Sequence, residues 1–187
     1  MDQLKQNGKD AIQIGTEKFV PYLTEEKIQE RIKELGKQLS DEYRSKLPIF
    51  IGILNGSFMF LTDLMKEIDI NCEIDFFKLS SYGDDKISSG KVKLLKELNA
   101  DIFDRHIVIV EDIVDSGLSM KYIEELISSH NPASMKVVTL LHKPASLKYK
   151  VKIDYIGFEI PDKFVIGYGL DYAQKYRNLR SIYVLSE

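Results

Sequence analysis

Short apolar runs alternate along this chain with longer stretches in which apolar residues recur every three or four positions, and that alternation predicts the fold. Ile49 to Leu54, Glu73 to Leu79, His106 to Val110, Met135 to Leu141 and Ile153 to Phe158 read as strands. The run from His106 to Val110 has the near-continuous β-branched composition of a strand buried on both faces. Thr24, followed by Glu25 and Glu26, starts a helix whose apolar face is Ile28, Ile32, Leu35 and Leu39. Phe58, Leu61, Thr62 and Met65 repeat at helical spacing, as do Met120, Ile123, Leu126 and Ile127. Strands separated by helices predict an α/β fold, a doubly wound and mainly parallel sheet flanked by helices. No repeat, low-complexity tract or linker divides residues 1–187, so one domain is expected.

Chemistry gathers where strands turn into helices. Residues 107 to 119 read Ile-Val-Ile-Val-Glu-Asp-Ile-Val-Asp-Ser-Gly-Leu-Ser, an apolar run that gives way to paired carboxylates, a third acid and a small-residue turn. In open parallel sheets ligands bind outside the carboxyl ends of the strands, where the next helix offers unpaired backbone N–H groups. Asp115, Ser116, Gly117, Leu118 and Ser119 are therefore expected to cradle a phosphate. Gly117 lets the backbone approach the anion, and the Ser116 and Ser119 hydroxyls can donate to it. Glu111 and Asp112 accept hydrogen bonds only, so they would repel phosphate but bind neutral hydroxyls or a divalent cation. Phosphate beside a diol points to a phosphorylated ribose. Asn55-Gly56-Ser57 follows an apolar strand in the same way and is a second phosphate-loop candidate. Taken alone, each has an ordinary alternative: a solvated loop with helix-capping acids, or a plain strand-helix turn.

Four blocks in order, Ile53 to Leu64, Ser81-Tyr82-Gly83, Val110 to Ser119 and Phe158 to Arg177, resemble the purine phosphoribosyltransferases and, within them, the hypoxanthine-guanine branch. The resemblance runs from about Phe19 onward. It implies a phosphoribosyltransferase-type core over about residues 49–160 and a small hood over the base, from about 15–22 and 161–177. The implied activity is purine salvage. The 5-phosphoribosyl group would pass from phosphoribosyl pyrophosphate to hypoxanthine or guanine, giving IMP or GMP and pyrophosphate, with Mg2+ as cofactor.

The same resemblance assigns roles. Glu111 and Asp112 would orient the ribose hydroxyls and, through them, a metal, while Asp115 would exchange a proton near purine N7. Asn55 and Gly56 fall in the pyrophosphate loop, where a non-proline cis peptide turns N–H groups toward the leaving group. Lys143 would donate to the exocyclic oxygen of a 6-oxopurine, and its charge would oppose the 6-amino group of adenine. Phe164 would stack on the purine and the Val165 backbone would read its edge. Asp171, also on the purine side, would hold a second magnesium through water, and Arg177 would clamp pyrophosphate oxygens. Ser81 and Tyr82, in the polar segment Ser80 to Gly90, match a mobile lid that keeps water from a forming sugar cation. Many relatives carry Lys where this chain has Asn55 and Leu118, so two side-chain charges are missing while the backbone cradle is kept.

Composition narrows the remaining classes. A length of 187 residues, 44% hydrophobic and 29% charged, suits one globular core. A formal net charge of -3 with interspersed Lys and Glu forms no basic stripe, which argues against a nucleic-acid partner. No apolar stretch reaches membrane-spanning length and the polar stretch Met1 to Asp10 is no signal-peptide core, so a cytoplasmic protein with no membrane partner is expected. The single Cys72 reads as a small hydrophobe, and three scattered histidines give no zinc spacing. His106 is expected at a strand start, His130 at a helix end where it complements the dipole, and His142 on a loop. A homodimer or homotetramer is expected. Two rivals stay open: a transferase for xanthine or adenine, and a regulator that keeps the phosphoribosyl site but binds nucleic acid. Neither Gly-x-Gly-x-x-Gly nor Gly-Lys-Ser/Thr is present to support a dinucleotide-binding or P-loop protein.

Overall fold

In this computed structural model, residues 10–81 and 92–186 are described. Two antiparallel strands come first, β1 (Ile12–Ile14) and β2 (Glu17–Leu23), then α1 (Glu25–Tyr43), β3 (Ile49–Leu54), α2 (Phe58–Glu67), β4 (Glu73–Ser81) and β5 (Val92–Lys96). There follow β6 (His106–Val114), α3 (Leu118–Ser128), β7 (Ser134–His142), a 3-10 turn at Pro144–Ser146, β8 (Tyr155–Glu159), β9 (Val165–Ile166) and β10 (Ile182–Leu185). The main sheet has the order β5-β4-β3-β6-β7-β8, with every pairing parallel except β4 with β5. Order reversal around β3 and β6 leaves a crevice at their carboxyl ends.

Helices cover both faces. Ile28, Ile32, Leu35 and Leu39 of α1 and Phe60, Leu61 and Leu64 of α2 pack on Phe50, Val108, Val110, Val138 and Leu140, all of them buried. On the opposite face Met120, Ile123 and Ile127 of α3 pack on Ile49, Ile51, Ile107 and Ile109. These strand residues alternate between the faces, as period-two side chains must. Thr24 caps α1 as expected, its side chain accepting from the Lys27 amide. A second sheet, in the order β1-β2-β10-β9, closes over its own core of Phe19, Ile166, Leu179 and Tyr183. It joins segments from the two ends of the chain. No helix among the described residues is long and apolar enough to cross a membrane.

Several elements differ from the sequence reading. The strand expected to stop at Val110 continues to Val114, because β7 keeps pairing with β6 as far as Val114 opposite His142 after β3 has left at Gly52 opposite Val110. Glu111 and Asp112 thus stand on a strand rather than in a loop. The buried face of α2 is Phe60, Leu61 and Leu64, and Phe58 is exposed, so the expected register was displaced. His142 is not on a loop; it ends β7, and its buried ring nitrogens have no hydrogen-bond partner among the described residues, Nδ1 lying 3.7 Å from Glu159 Oε1. His106 starts β6 with Nδ1 2.7 Å from Ser134 Oγ, and His130 sits past α3 with Nδ1 2.9 Å from the Leu126 carbonyl. Cys72 packs beside the first core, where burial pushes its thiol up. Ser81 ends β4, and its lid partner Tyr82 lies outside the described residues.

The connection leaving β5 is tied down by one buried acid. Asp75 Oδ2 accepts from the Asn99 and Ala100 amides at 2.6 and 2.9 Å, and Oδ1 from the Phe76 amide and the Lys96 ammonium at 2.7 and 3.2 Å. Burial raises its pKa, but the Ala100, Phe76 and Asn99 amides and Lys96 together hold it below the ordinary 3.8. A depressed carboxyl contributes stability above its unfolded pKa and loses that contribution as pH falls through the folded value. Asp75→Ala should therefore lower the urea-unfolding free energy at pH 7 by about 1.5 to 3 kcal/mol, the scale of hydrogen bonds to a charged group. The gap should narrow as pH falls below 4, and a gap independent of pH would refute the charge-based account.

Candidate active site

Two carboxylates, two turn-to-helix junctions and an ammonium converge at the carboxyl ends of β3, β6 and β7. Glu111 and Asp112 follow each other on β6 and are both more than nine-tenths buried. Glu111 Oε2 is buried with no hydrogen-bond partner among the described residues. Burial first, and then the neighbouring Asp112 charge, pushes the Glu111 carboxyl well above the usual range. Burial likewise lifts Asp112 to about 6, against a downward pull from the Asp112 and Ile113 amides and from Arg177; Asp171 adds to the rise. An acceptor-rich pocket with one orphaned oxygen can take up hydroxyls or a cation.

Beyond β6 the chain turns through Asp115, Ser116 and Gly117 into α3. Gly117 has φ 81° and brings no side-chain cap to the helix it heads, so the first turn can present amides to a ligand. A Cβ on Gly117 would sit 3.0 Å from the Tyr149 carbonyl oxygen, which closes the back of the turn. The Ser116 carbonyl accepts from the Lys148 and Tyr149 amides at 3.0 and 3.1 Å, anchoring the turn to the segment after β7. Ser116 Oγ accepts weakly from the Leu118 amide at 3.4 Å. Residues Glu111 and Asp115 to Ser119 line a hollow of about 90 Å³.

The second junction follows β3. The Leu54–Asn55 peptide is cis, and Asn55 is exposed. Gly56 is wedged: a Cβ there would fall 1.9 Å from Asp112 Oδ2, and a Cβ on Gly169 would fall 2.1 Å from the Gly56 carbonyl oxygen. Only glycine fits either place, because each absent side chain leaves room for a neighbouring group. Arg177 reaches the same spot, donating to the Gly169 carbonyl at 2.8 Å and pairing with Asp171 at 2.7 Å. Asp171 also accepts from the Gln174 amide. Among the described residues, no three His, Cys, Asp or Glu side chains form a ready metal-binding group.

Lys143 follows β7 and is 6% exposed, its ammonium 3.0 Å from Asp115 Oδ2 and 3.6 Å from Asp162 Oδ1. Asp162 was not anticipated, and an acid in a loop of mixed charges gives little signal. Phe164 is 47% exposed and meets Phe19 and Tyr172 edge-on at 6.2 and 5.9 Å. Val165 is on β9, an edge of the second sheet, so one side of its backbone has no strand neighbour among the described residues. Gly167, Tyr168 and Gly169 also went unassigned. Their Gly-x-Gly triplet was the available signal, and all three have positive φ.

A phosphoribosyl transferase domain model matches residues 22–173. The chain is 50% identical over 163 residues to a hypoxanthine-guanine phosphoribosyltransferase of Bacillus subtilis, covering 87% of this chain and 91% of that protein. It is 46% identical over 163 residues to a bifunctional TilS/HprT protein of Listeria monocytogenes, covering 87% of this chain and 25% of that longer protein. A crystal structure of a hypoxanthine phosphoribosyltransferase from Staphylococcus aureus superposes with a TM-score of 0.84 at 46% identity, covering 88% of this chain and 89% of that one.

The buried acids make a prediction about stability. An unfolded aspartate ionises near 3.8, whereas Asp112 holds its proton up to about 6. Raising the pH across that window therefore favours the unfolded chain, by linkage. Asp112→Asn removes the penalty while keeping an oxygen for the two amides. The variant should be more stable than the parent at pH 8 by about 1 to 3 kcal/mol and no more stable at pH 4, by urea denaturation. A variant less stable at pH 8 would show that Asp112 supports the fold as an ion.

Proposed function

The chain belongs to the phosphoribosyl transferase family, and from that premise we propose the activity of its site. It is a purine-salvage transferase. It moves the 5-phosphoribosyl group from phosphoribosyl pyrophosphate to hypoxanthine or guanine, giving IMP or GMP and pyrophosphate. The observation that carries the base preference is the pair Lys143 and Asp115, a buried ammonium donor 3.0 Å from a carboxylate acceptor. That spacing matches the 6-oxo oxygen and neighbouring N7 proton of a 6-oxopurine, while the 6-amino group of adenine would meet a like donor.

The other residues fall into a consistent division of labour. The uncapped start of α3, with Ser116, Gly117, Leu118 and Ser119, holds the ribose phosphate, and the orphaned Glu111 carboxylate and Asp112 take the ribose hydroxyls. Asn55, Gly56 and Arg177 receive the pyrophosphate, and Phe164 and the Val165 backbone contact the purine. Glu111 and Asp112, with Asp171 beyond them, are the residues that fit Mg2+, which would lower the charge on the departing pyrophosphate. As the bond to pyrophosphate lengthens, the anomeric carbon gains oxocarbenium character and purine N9 attacks its opposite face. Asp115 accepts the N7 proton as N9 becomes nucleophilic. Little covalent protein chemistry is needed, so placement and electrostatics supply most of the rate. The second sheet serves as the hood over the base, within one domain, Ser81 and Tyr82 belong to the lid, and the enzyme works in the cytoplasm as a homodimer or homotetramer without a nucleic-acid partner.

Turnover should be measured with hypoxanthine, guanine, xanthine and adenine in the presence of phosphoribosyl pyrophosphate and magnesium. Hypoxanthine and guanine should react and adenine should not; salt-sensitive nucleic-acid binding without turnover would overturn the reading. Lys143→Met should weaken 6-oxopurine use by about 1.5 to 3 kcal/mol, the worth of a hydrogen bond from a charged group. Donor affinity should barely change, and equal losses for both substrates would make Lys143 a general support. Asp115→Asn keeps volume and leaves the phosphate cradle in place but cannot take a proton. It should cut kcat by about 10² to 10⁴ with donor affinity nearly constant, and retained turnover would remove Asp115 from proton transfer.

A further inference from the structure

Tyr168 is buried to 1% exposure between two positive-φ glycines, and its own φ is 50°. An aromatic residue rarely adopts that backbone, so surrounding contacts must hold it there. Its amide donates to the Leu179 carbonyl at 2.8 Å. Its hydroxyl reaches across to α2 and donates to Asp63 Oδ2 at 2.6 Å. Asp63 Oδ2 also accepts from Gln29 of α1 at 2.7 Å, while Oδ1 takes Lys66 at 2.8 Å. Burial raises the Asp63 pKa, yet the hydrogen bonds from Lys66, Tyr168 and Gln29 carry it below the ordinary range, so the acceptor stays ionised at neutral pH. Burial and this carboxylate both raise the Tyr168 phenol, which stays the donor.

Asp63 lies on the helix that starts directly after the Asn55-Gly56 turn, and Tyr168 immediately precedes Gly169, whose backbone rests on the Gly56 carbonyl. The Gly169 carbonyl in turn receives Arg177. The Tyr168 hydroxyl, which also accepts from Gln29 Nε2 at 3.5 Å, therefore couples both walls of the pyrophosphate pocket through its bond to Asp63. We propose that Tyr168 and Asp63 are positioning residues that latch the turn 167–170 to α2, setting the gap between the Gly56 loop and the Arg177 guanidinium. The latch acts on the leaving-group side, because Lys143 and Asp115 follow β7 and β6 and pair with each other at 3.0 Å.

This inference rests on the proposed phosphoribosyl transfer, and the test separates the two. Tyr168→Phe deletes only the hydroxyl. Its KM for phosphoribosyl pyrophosphate and its Kd for pyrophosphate, read by calorimetry, should each rise about tenfold, within the range that small misplacements of a binding group produce. KM for hypoxanthine should change less than about twofold, smaller than the tenfold that 1.4 kcal/mol represents. Asp63→Asn, which keeps an acceptor, should stay near the parent, and Asp63→Leu should reproduce Tyr168→Phe. Thermal melting of each variant separates a folding defect from misplacement. A lower Tm with pyrophosphate affinity unchanged, or equal losses for donor and purine, would overturn the latch. A parent protein that turns over no purine would instead remove the proposed reaction, and pyrophosphate binding by the same variants would still test the latch.

Discussion

Everything at the top of this sheet is arranged around two adjacent carboxylates withdrawn from water. Burying ionised acids side by side is unfavourable, and Glu111 and Asp112 show it in their raised pKa values. Asp112 is compensated by two backbone amides and the distant charge of Arg177. Glu111 keeps one oxygen without a partner among the described residues. A site of this kind is unfavourable for the empty fold, and the two apolar layers that α1, α2 and α3 form on the sheet offset it. Its use is that a ligand supplying hydroxyls or positive charge meets acceptors already desolvated and fixed.

The glycines follow from that placement. Asp112 can point into the site only because Gly56 has no side chain, and the Gly56 turn can sit so close only because Gly169 has none either. Three segments distant in sequence, residues 54–57, 111–112 and 167–171, thereby come within van der Waals reach. A ligand that binds among them touches the end of one strand, the start of one helix and a turn beside the second sheet. Binding energy from the nonreacting phosphates can then organise the reacting centre.

Much of this was legible in the chain. The strand Ile49–Leu54 has the expected limits, and Ile28, Ile32, Leu35 and Leu39 are the buried face of α1. What escaped was decided by neighbours rather than by local pattern. β6 outlasts its apolar run because β7 continues beside it, so two acids sit in a strand that composition alone would end. β5 is a short Lys-rich edge strand, defined by its pairing with β4. In the second sheet β2 pairs with β10, more than 150 positions away, and no local window of sequence contains both partners. Glu111, Asp112, Asp115 and Gly117 could be singled out as candidates because acids and a glycine follow an apolar run, and the structure brings them to the end of β6 and the start of α3. Tyr168 and Asp63 are separated by 105 positions, and a buried Tyr beside glycines looks like ordinary core.

Lys143 and Arg177 show how the site divides its charge. Each cation is paired with an acid before any ligand arrives, Lys143 with Asp115 and Asp162, Arg177 with Asp171. Pairing fixes both heads in direction. On the proposed reading, a purine entering beside Lys143 would offer it a neutral acceptor, so the Asp115 pair need not break and the carboxylate would remain at hand for a proton. Pyrophosphate entering beside Arg177, as proposed, would bring full charges that compete with Asp171 for the guanidinium. The two halves of the proposed site would thus respond differently to their ligands: the base side could bind without rearranging its ion pair, whereas the leaving-group side would exchange one anion for another. Asp171 released in that exchange would be an anion next to a departing anion, which is where a divalent cation has most to neutralise.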